Sequence, residues 1–288
     1  MRPLTWFCLI LLFVIPTYAA DGPRIFIVTD LEGVGGVNNA EEQLLPGQRR
    51  YDESRRLLVR EVNAAVEEVL EAGASEVVIW DGHDGSRTLS IDEIHPSAKL
   101  IQGKPTPANY YLEDRRFDGI LFVGQHAMAG AKNGVLAHSQ SFNVQNIFIN
   151  GKPVGEIGQT AAIAGHFNIP VIMLAGDQAA CNEILSIQPK AETVAVKTLA
   201  GKGSSISISH AEARRWIETK ARQAVERIHE FLPWKIEGPV ELKFGYYPEM
   251  PGISSGEASR TEGKQVLPRT AIYRGRTVLE AFEQWLGK

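Results

Sequence analysis

Cysteine is nearly absent from this chain: Cys8 and Cys181 are the only two in 288 residues. Cys8 lies inside the apolar run WFCLILLFVIP, which follows Arg2 and precedes TYAADG. A charged start, a short apolar run and a small-residue end form the pattern of an export signal spanning residues 1–19. Cleavage after Ala19 places Thr17 and Ala19 at the two small positions and removes Cys8. The mature chain then keeps Cys181 alone and forms no internal disulfide, although an exported protein is free to use them. Cys181 shares an apolar helical face with Ala180, Ile184 and Leu185 and reads as an inert core thiol.

Other features are missing too. The N-terminal apolar run is short for a membrane span, which needs ~20 residues, so no stable span is expected once the signal is cleaved. An uncleaved anchor is the alternative. There is no excess of positive charge: the net charge is −4, which implies no nucleic acid or other polyanion as partner. There is no internal repeat and no low-complexity tract. Gly33, Gly35 and Gly36 follow Asp30, but the Lys-Ser/Thr ending of a nucleotide P-loop is lacking. A phosphatase with Asp30 as nucleophile would need a lysine at a later strand end, and none stands out.

What is present is an alternation of β-branched runs and amphipathic segments. Residues 24–29, 76–80, 99–101, 119–123 and 171–175 read as strands. Residues 53–72 read as a helix whose apolar face is Leu58, Val62, Ala65, Val66 and Val69, closed by Gly73. Asn150-Gly151 marks a two-residue hairpin. A small-residue helix follows from Glu156, and Asp177 stands where it can cap the next one. The expected fold is α/β, with a mainly parallel sheet covered by helices on both faces. Composition changes after Lys197, where LAGKGSSIS reads as a connection. Ser209 and Glu212 form a capping box before a helix reaching to about residue 231. The strands VELKF and TAIYRG and a closing helix at 277–286 complete a smaller C-terminal α+β unit. The expected domains are therefore 24–198, carrying the chemistry, and 206–288.

Chemistry-bearing side chains cluster where these runs end. Asp30 and Glu32 close the first strand, His83 follows the second in DGHDG, and His126 follows ILFVGQ. Glu156 opens the small-residue helix, and His138 lies between it and His126. Parallel-sheet enzymes place their chemistry at such carboxyl ends. Two histidines and three carboxylates suit a pair of catalytic zinc ions, with positions left for water. Taken singly each is ordinary: a polar turn, a satisfied buried histidine, a carboxylate favoured by a helix start. Asp81 and Asp84 stand close enough to orient His83 through its other ring nitrogen.

The segments VTDLEGVGGV, WDGHDG, GQHAM…GVLAHS and INGKPVGEIG, with VIMLAGD and EMPG further on, resemble the successive signatures of the zinc-dependent D-aminopeptidases of the DppA type. The resemblance runs from about residue 25 to 282. It implies two zinc ions per subunit, with Asp30 bridging and Glu32, His83, His126 and Glu156 as the remaining ligands. It implies His138 as the catalytic histidine and stacked homo-oligomeric rings enclosing the active sites. The stretch 253–269 diverges from the family, as does the export signal.

The expectation is an exported, periplasmic or extracellular, two-zinc metallo-aminopeptidase. It would release N-terminal residues, D-alanine among them, from short peptides or amides. The alternatives are a two-metal phosphoesterase on the same ligands and an exported peptide- or metal-binding protein without turnover.

Overall fold

The computed structural model describes residues 22–103, 112–113, 117–247 and 269–287. The export segment, EMPG and residues 253–268 lie outside the described residues. Along β1 (Arg24–Thr29), Ile25 and Ile27 enter one apolar core while Phe26 and Val28 enter another. Successive strand residues face opposite ways, so a run apolar at every position needs cover on both sides. That cover is helical. The α-helices whose bounds are described are α1 (Ala40–Gln43), α2 (Tyr51–Glu71), α3 (Glu156–His166), α4 (Gln178–Leu185), α5 (His210–Glu226) and α6 (Val278–Trp285). Leu58, Val62 and Val66 of α2 and Ala213, Ile217 and Ala221 of α5 fill the first core. Ile157 and Ala161 of α3, Ala180 and Ile184 of α4 and Phe282 of α6 fill the second. Each large side chain so buried contributes about 1.5–3 kcal/mol.

The remaining strands are β2 (Glu76–Asp81), β3 (Ala98–Ile101), β4 (Gly119–Gln125), β5 (Val144–Ile149), β6 (Lys152–Pro153), β7 (Val171–Asp177), β8 (Glu192–Gly201), β9 (Ser204–Ser207), β10 (Val240–Tyr246) and β11 (Arg269–Gly275). The main sheet runs β3-β2-β1-β4-β7-β8-β9. All its neighbours are parallel except β8 and β9. The chain winds outward from β1 to β3, then returns to β1's other side with β4. The order therefore reverses between β1 and β4, where α/β sheets open a crevice for ligands.

A smaller antiparallel sheet, β11-β10-β5-β6, packs into the second core. It does not follow the domain division expected near residues 199–205. β10 pairs with β5, from the first segment, while α5, from the second, packs on α2 over the main sheet. LAGKGSSIS is likewise no open connection. It is the end of β8, a turn with Gly203 at φ 72°, and β9. Among the described residues, no helix is long and apolar enough to cross a membrane.

Local expectations met include the capping contacts, with Asp177 Oδ1 accepting from Ala180 N at 2.8 Å and Ser209 Oγ from Glu212 N at 3.2 Å. Cys181 is buried, and burial pushes its thiol up to about 12.

Candidate metal centre

The loops leaving β1 and β4 cross at the switch point in near backbone contact. Gly33 N donates to Gly124 O at 2.7 Å, and a Cβ at Gly33 would fall 2.1 Å from Gln125 O. Gly124 has φ 79°, and a Cβ there would fall 2.1 Å from Asp30 O. Only glycine allows this approach. It brings Asp30 of the first loop beside His126 of the second.

The six side chains singled out from the sequence converge there as two trios. Asp30, Glu32 and His83 present ligand-type atoms within 4.8 Å of one another, and so do His126, His138 and Glu156. Asp30 stands between the trios. Its Oδ1 lies 3.2 Å from His83 Nδ1, and its Oδ2 lies 3.2 Å from His126 Nε2. Glu32 Oε2 is 3.0 Å from His83 Nδ1. Glu156 Oε1 is 3.5 Å from His126 Nε2 and 4.0 Å from His138 Nε2.

Each histidine has one ring nitrogen committed to a backbone carbonyl. His83 Nε2 lies 2.8 Å from Leu44 O, His126 Nδ1 2.9 Å from Ala127 O, and His138 Nδ1 2.9 Å from Leu136 O. Donation to a carbonyl fixes the tautomer and turns the other nitrogen's lone pair toward the carboxylates. The partner of His83 is thus Leu44, not Asp81 or Asp84 as expected. Asp81 accepts instead from Thr88 N at 2.7 Å and Leu89 N at 2.8 Å, pinning the loop after β2.

The electrostatics ask for a cation. Burial alone would lower the His83 pKa, but Glu32 and Asp30 outweigh it and push it up to about 12. Burial likewise opposes a charged His126, yet Glu156 and Asp30 raise it well above the ordinary range. Burial opposes ionisation of Asp30, and the neighbouring His126 and His83 still hold it well below the usual carboxylate range. A field that favours a proton on these nitrogens also favours a metal ion. Glu32 Oε2 and His126 Nε2 are buried without a well-directed hydrogen bond, so each has a lone pair to give. Nitrogen and carboxylate donors suit zinc. A cavity of about 40 Å³, enough for an ordered water, is lined by Asp30, Gln125, Gln140, Glu156, Thr160 and Trp80. The residues therefore fit the metal their types suggest.

His138 sits on the outer side of its trio. Its ring stacks on His126 with centroids 3.9 Å apart, and Phe142, 54% exposed, stacks on its other face at 4.4 Å. The loop that carries it holds Leu136 at φ 57° and Gln140 at φ 62°, conformations that cost ~1–3 kcal/mol each and concentrate at functional sites. Gln140 N donates to Glu156 Oε1 at 2.6 Å, which ties that strained loop to the helix α3.

Sequence reading missed three ionisable groups around the site, two of them buried and the third, Glu183, half-buried. Lys197 of β8 is fully buried, and its ammonium donates to the carbonyls of Glu32, Val34 and Val37. It thereby holds the loop after β1 from below. Glu61 of α2 is buried beside that loop, and burial pushes its carboxyl up to about 8. Glu183 of α4 bonds the loops that carry His126 and Glu156.

Fold and donor set define a class: an α/β protein with a metal-capable centre at the carboxyl ends of its strands. The chain belongs to the D-aminopeptidase family, peptidase family M55, whose pattern matches residues 24–282. It is 31% identical over 261 residues to the D-aminopeptidase of Bacillus subtilis (strain 168), covering 89% of this chain and 90% of that one. Its fold is similar to that of the solved Zn-dependent D-aminopeptidase DppA from Bacillus subtilis, described as a self-compartmentalizing protease. The TM-score is 0.80 at 29% identity, over 92% of this chain and 96% of that one. The family resemblance drawn from the motifs is borne out, and so is the α/β fold.

Proposed function

We propose that this chain is an exported aminopeptidase holding two zinc ions, which releases N-terminal D-residues such as D-alanine from short peptides or amides. One observation carries the reading: the Asp30 carboxylate offers one oxygen to the His83 side and the other to the His126 side, each at 3.2 Å. In this reading Asp30, Glu32 and His83 hold one ion, and Asp30, His126 and Glu156 hold the other. The Zn dependence of the Bacillus subtilis relative supports the choice of metal.

Bound zinc supplies a Lewis acid for the scissile carbonyl and a water of lowered pKa. The chain's own residues do the rest. His138 keeps Nδ1 on Leu136 O and leaves Nε2 beside Glu156, where it holds or delivers a proton at the leaving nitrogen. His126 and Phe142 sandwich its ring and fix its plane. An acidic side chain of the site reads the substrate's free ammonium group, which makes the action that of an exopeptidase.

A phosphatase built on Asp30 as nucleophile finds less support. Lys197 does stand in a later strand, but its ammonium is committed to three backbone carbonyls. The export reading rests on the N-terminal sequence pattern. Association into a homo-oligomeric ring rests on the relative's description as self-compartmentalizing. Light scattering on the mature protein should give several times the mass of one chain.

The deciding experiment compares D-alanyl and L-alanyl amides with zinc-loaded enzyme, with a phosphate ester alongside. Faster release from the D-amide is expected. Faster release from the L-amide would refute the stereochemical assignment. Turnover of the phosphate ester alone would refute the peptidase.

A further inference from the structure

Glu183 lies on α4, outside both trios, yet both of its carboxylate oxygens serve the backbone that carries them. Its Oε2 accepts from Met128 N at 2.8 Å, two residues beyond His126. Its Oε1 accepts from Gly155 N at 3.1 Å, one residue before Glu156. The three groups meet closely. A Cβ added at Gly155 would lie 2.6 Å from Met128 Cβ and 2.8 Å from Glu183 Oε1. Any residue but glycine there would push the loop after β4 away from the start of α3.

We propose that Glu183 is a positioning residue. It clamps the His126 loop to the Glu156 turn and so sets the spacing of the second pair of metal donors. The inference rests on the two-zinc reading above. The physical case is that two loops from different strands have no regular hydrogen bonding between them, so their separation is set by what bridges them. A carboxyl group whose two oxygens each accept from a backbone N–H ties those two segments together directly. Outer groups of this kind typically govern metal affinity ~10–100-fold. The bonds of its carboxyl go to the Met128 and Gly155 amides and not to a metal-donor side chain, and neither amide adjoins the Asp30–Glu32–His83 trio. Its effect should therefore fall on one ion only.

Glu183→Gln tests this. The amide keeps the length but sets an NH₂ group against one of the two backbone donors. Chelator competition should show one zinc weakened ~10–100-fold and the other held as in the wild type. A cobalt-substituted sample should show the spectrum of one site altered. In the metal-free protein, hydrogen exchange at the Met128 and Gly155 amides should quicken, a readout independent of metal stoichiometry. If Glu183→Gln does not accumulate folded, Glu183→Asp, too short to reach both amides, is read in the same way. Two ions held with unchanged affinity, equal weakening of both, or unchanged exchange at those amides would overturn the clamp. A wild type that holds fewer than two ions would defeat the two-zinc reading instead, and the exchange comparison would still judge Glu183.

Discussion

The imidazoles of His126 and His138 lie stacked, 3.9 Å between centroids and 15° from parallel, yet they face different surroundings. His126 is buried between Asp30 and Glu156, whereas among the described residues His138 has only Glu156 within ion-pair distance, at 4.0 Å. Position thus separates a group held inside the donor set from one at its rim.

His138→Ala should leave the metal content near that of the wild type and lower kcat ~10²–10⁴-fold, the usual worth of a positioned acid–base group. Elemental analysis and steady-state kinetics on the same preparation check it. Loss of an ion would make His138 a ligand.

Asp30→Asn should release more metal than any other single ligand change. In the two-zinc reading a carboxylate facing both sites serves both ions, and its neutral amide has one weak oxygen donor left. Two tightly held zinc ions in the purified variant would defeat the bridging role.

Much of this was legible in the sequence because it is local. Apolar runs ending in Asp30, His83 or His126 announce strands with chemistry at their ends, and Asn150-Gly151 announces the β5–β6 turn. The pairing of β5 with β10 was not legible: the partners lie some ninety residues apart, for example Ile149 with Leu242. β8 was missed because it mixes Glu192 and Lys197 with small residues, and its last four residues are exposed. The supporting groups escaped for the same reason. Glu183 in QAACNEIL looks like a solvated helix residue, and Lys197 like the start of a linker. Only the fold shows which backbone each one holds, just as only the fold shows that Leu44 O orients His83.

Glu61, which belongs to neither trio, gives a pH signature of its own. Burial raises its pKa from 4.5 to about 8, against the Gly35 backbone N–H and Lys197, while His210 stands 3.8 Å away. A raised folded pKa means that the folded chain binds the proton more tightly than the unfolded one. The associated stability is full below about pH 4.5 and is lost as pH climbs through about 8. Each pH unit inside that window corresponds to at most about 1.4 kcal/mol. Glu61→Gln imitates the protonated form. Wild type and variant should melt together in acid, and the variant should melt higher near pH 8. Parallel melting curves across that range would show that Glu61 is charged in the fold.

Lys197→Met removes the ammonium while keeping most of the side chain's bulk. The carbonyls of Glu32 and Val37 then lose the Lys197 ammonium as donor, while Val34 O keeps the Val37 N–H at 3.1 Å. Leaving buried acceptors unsatisfied costs about 1–3 kcal/mol each. Burial already strains the charge, since it pulls the Lys197 pKa down to about 8, so removing the ammonium returns part of that loss. A net destabilisation on the order of 3 kcal/mol is expected. The damage should also be directional. The loop after β1 carries Asp30 and Glu32, so the zinc on the His83 side should weaken more than the zinc on the His126 side. That is the reverse of the pattern expected for Glu183→Gln. Thermal melting and chelator competition on the same sample check both parts. A variant as stable as the wild type, or one whose two ions weaken alike, would show that Lys197 fills space under the loop without shaping it.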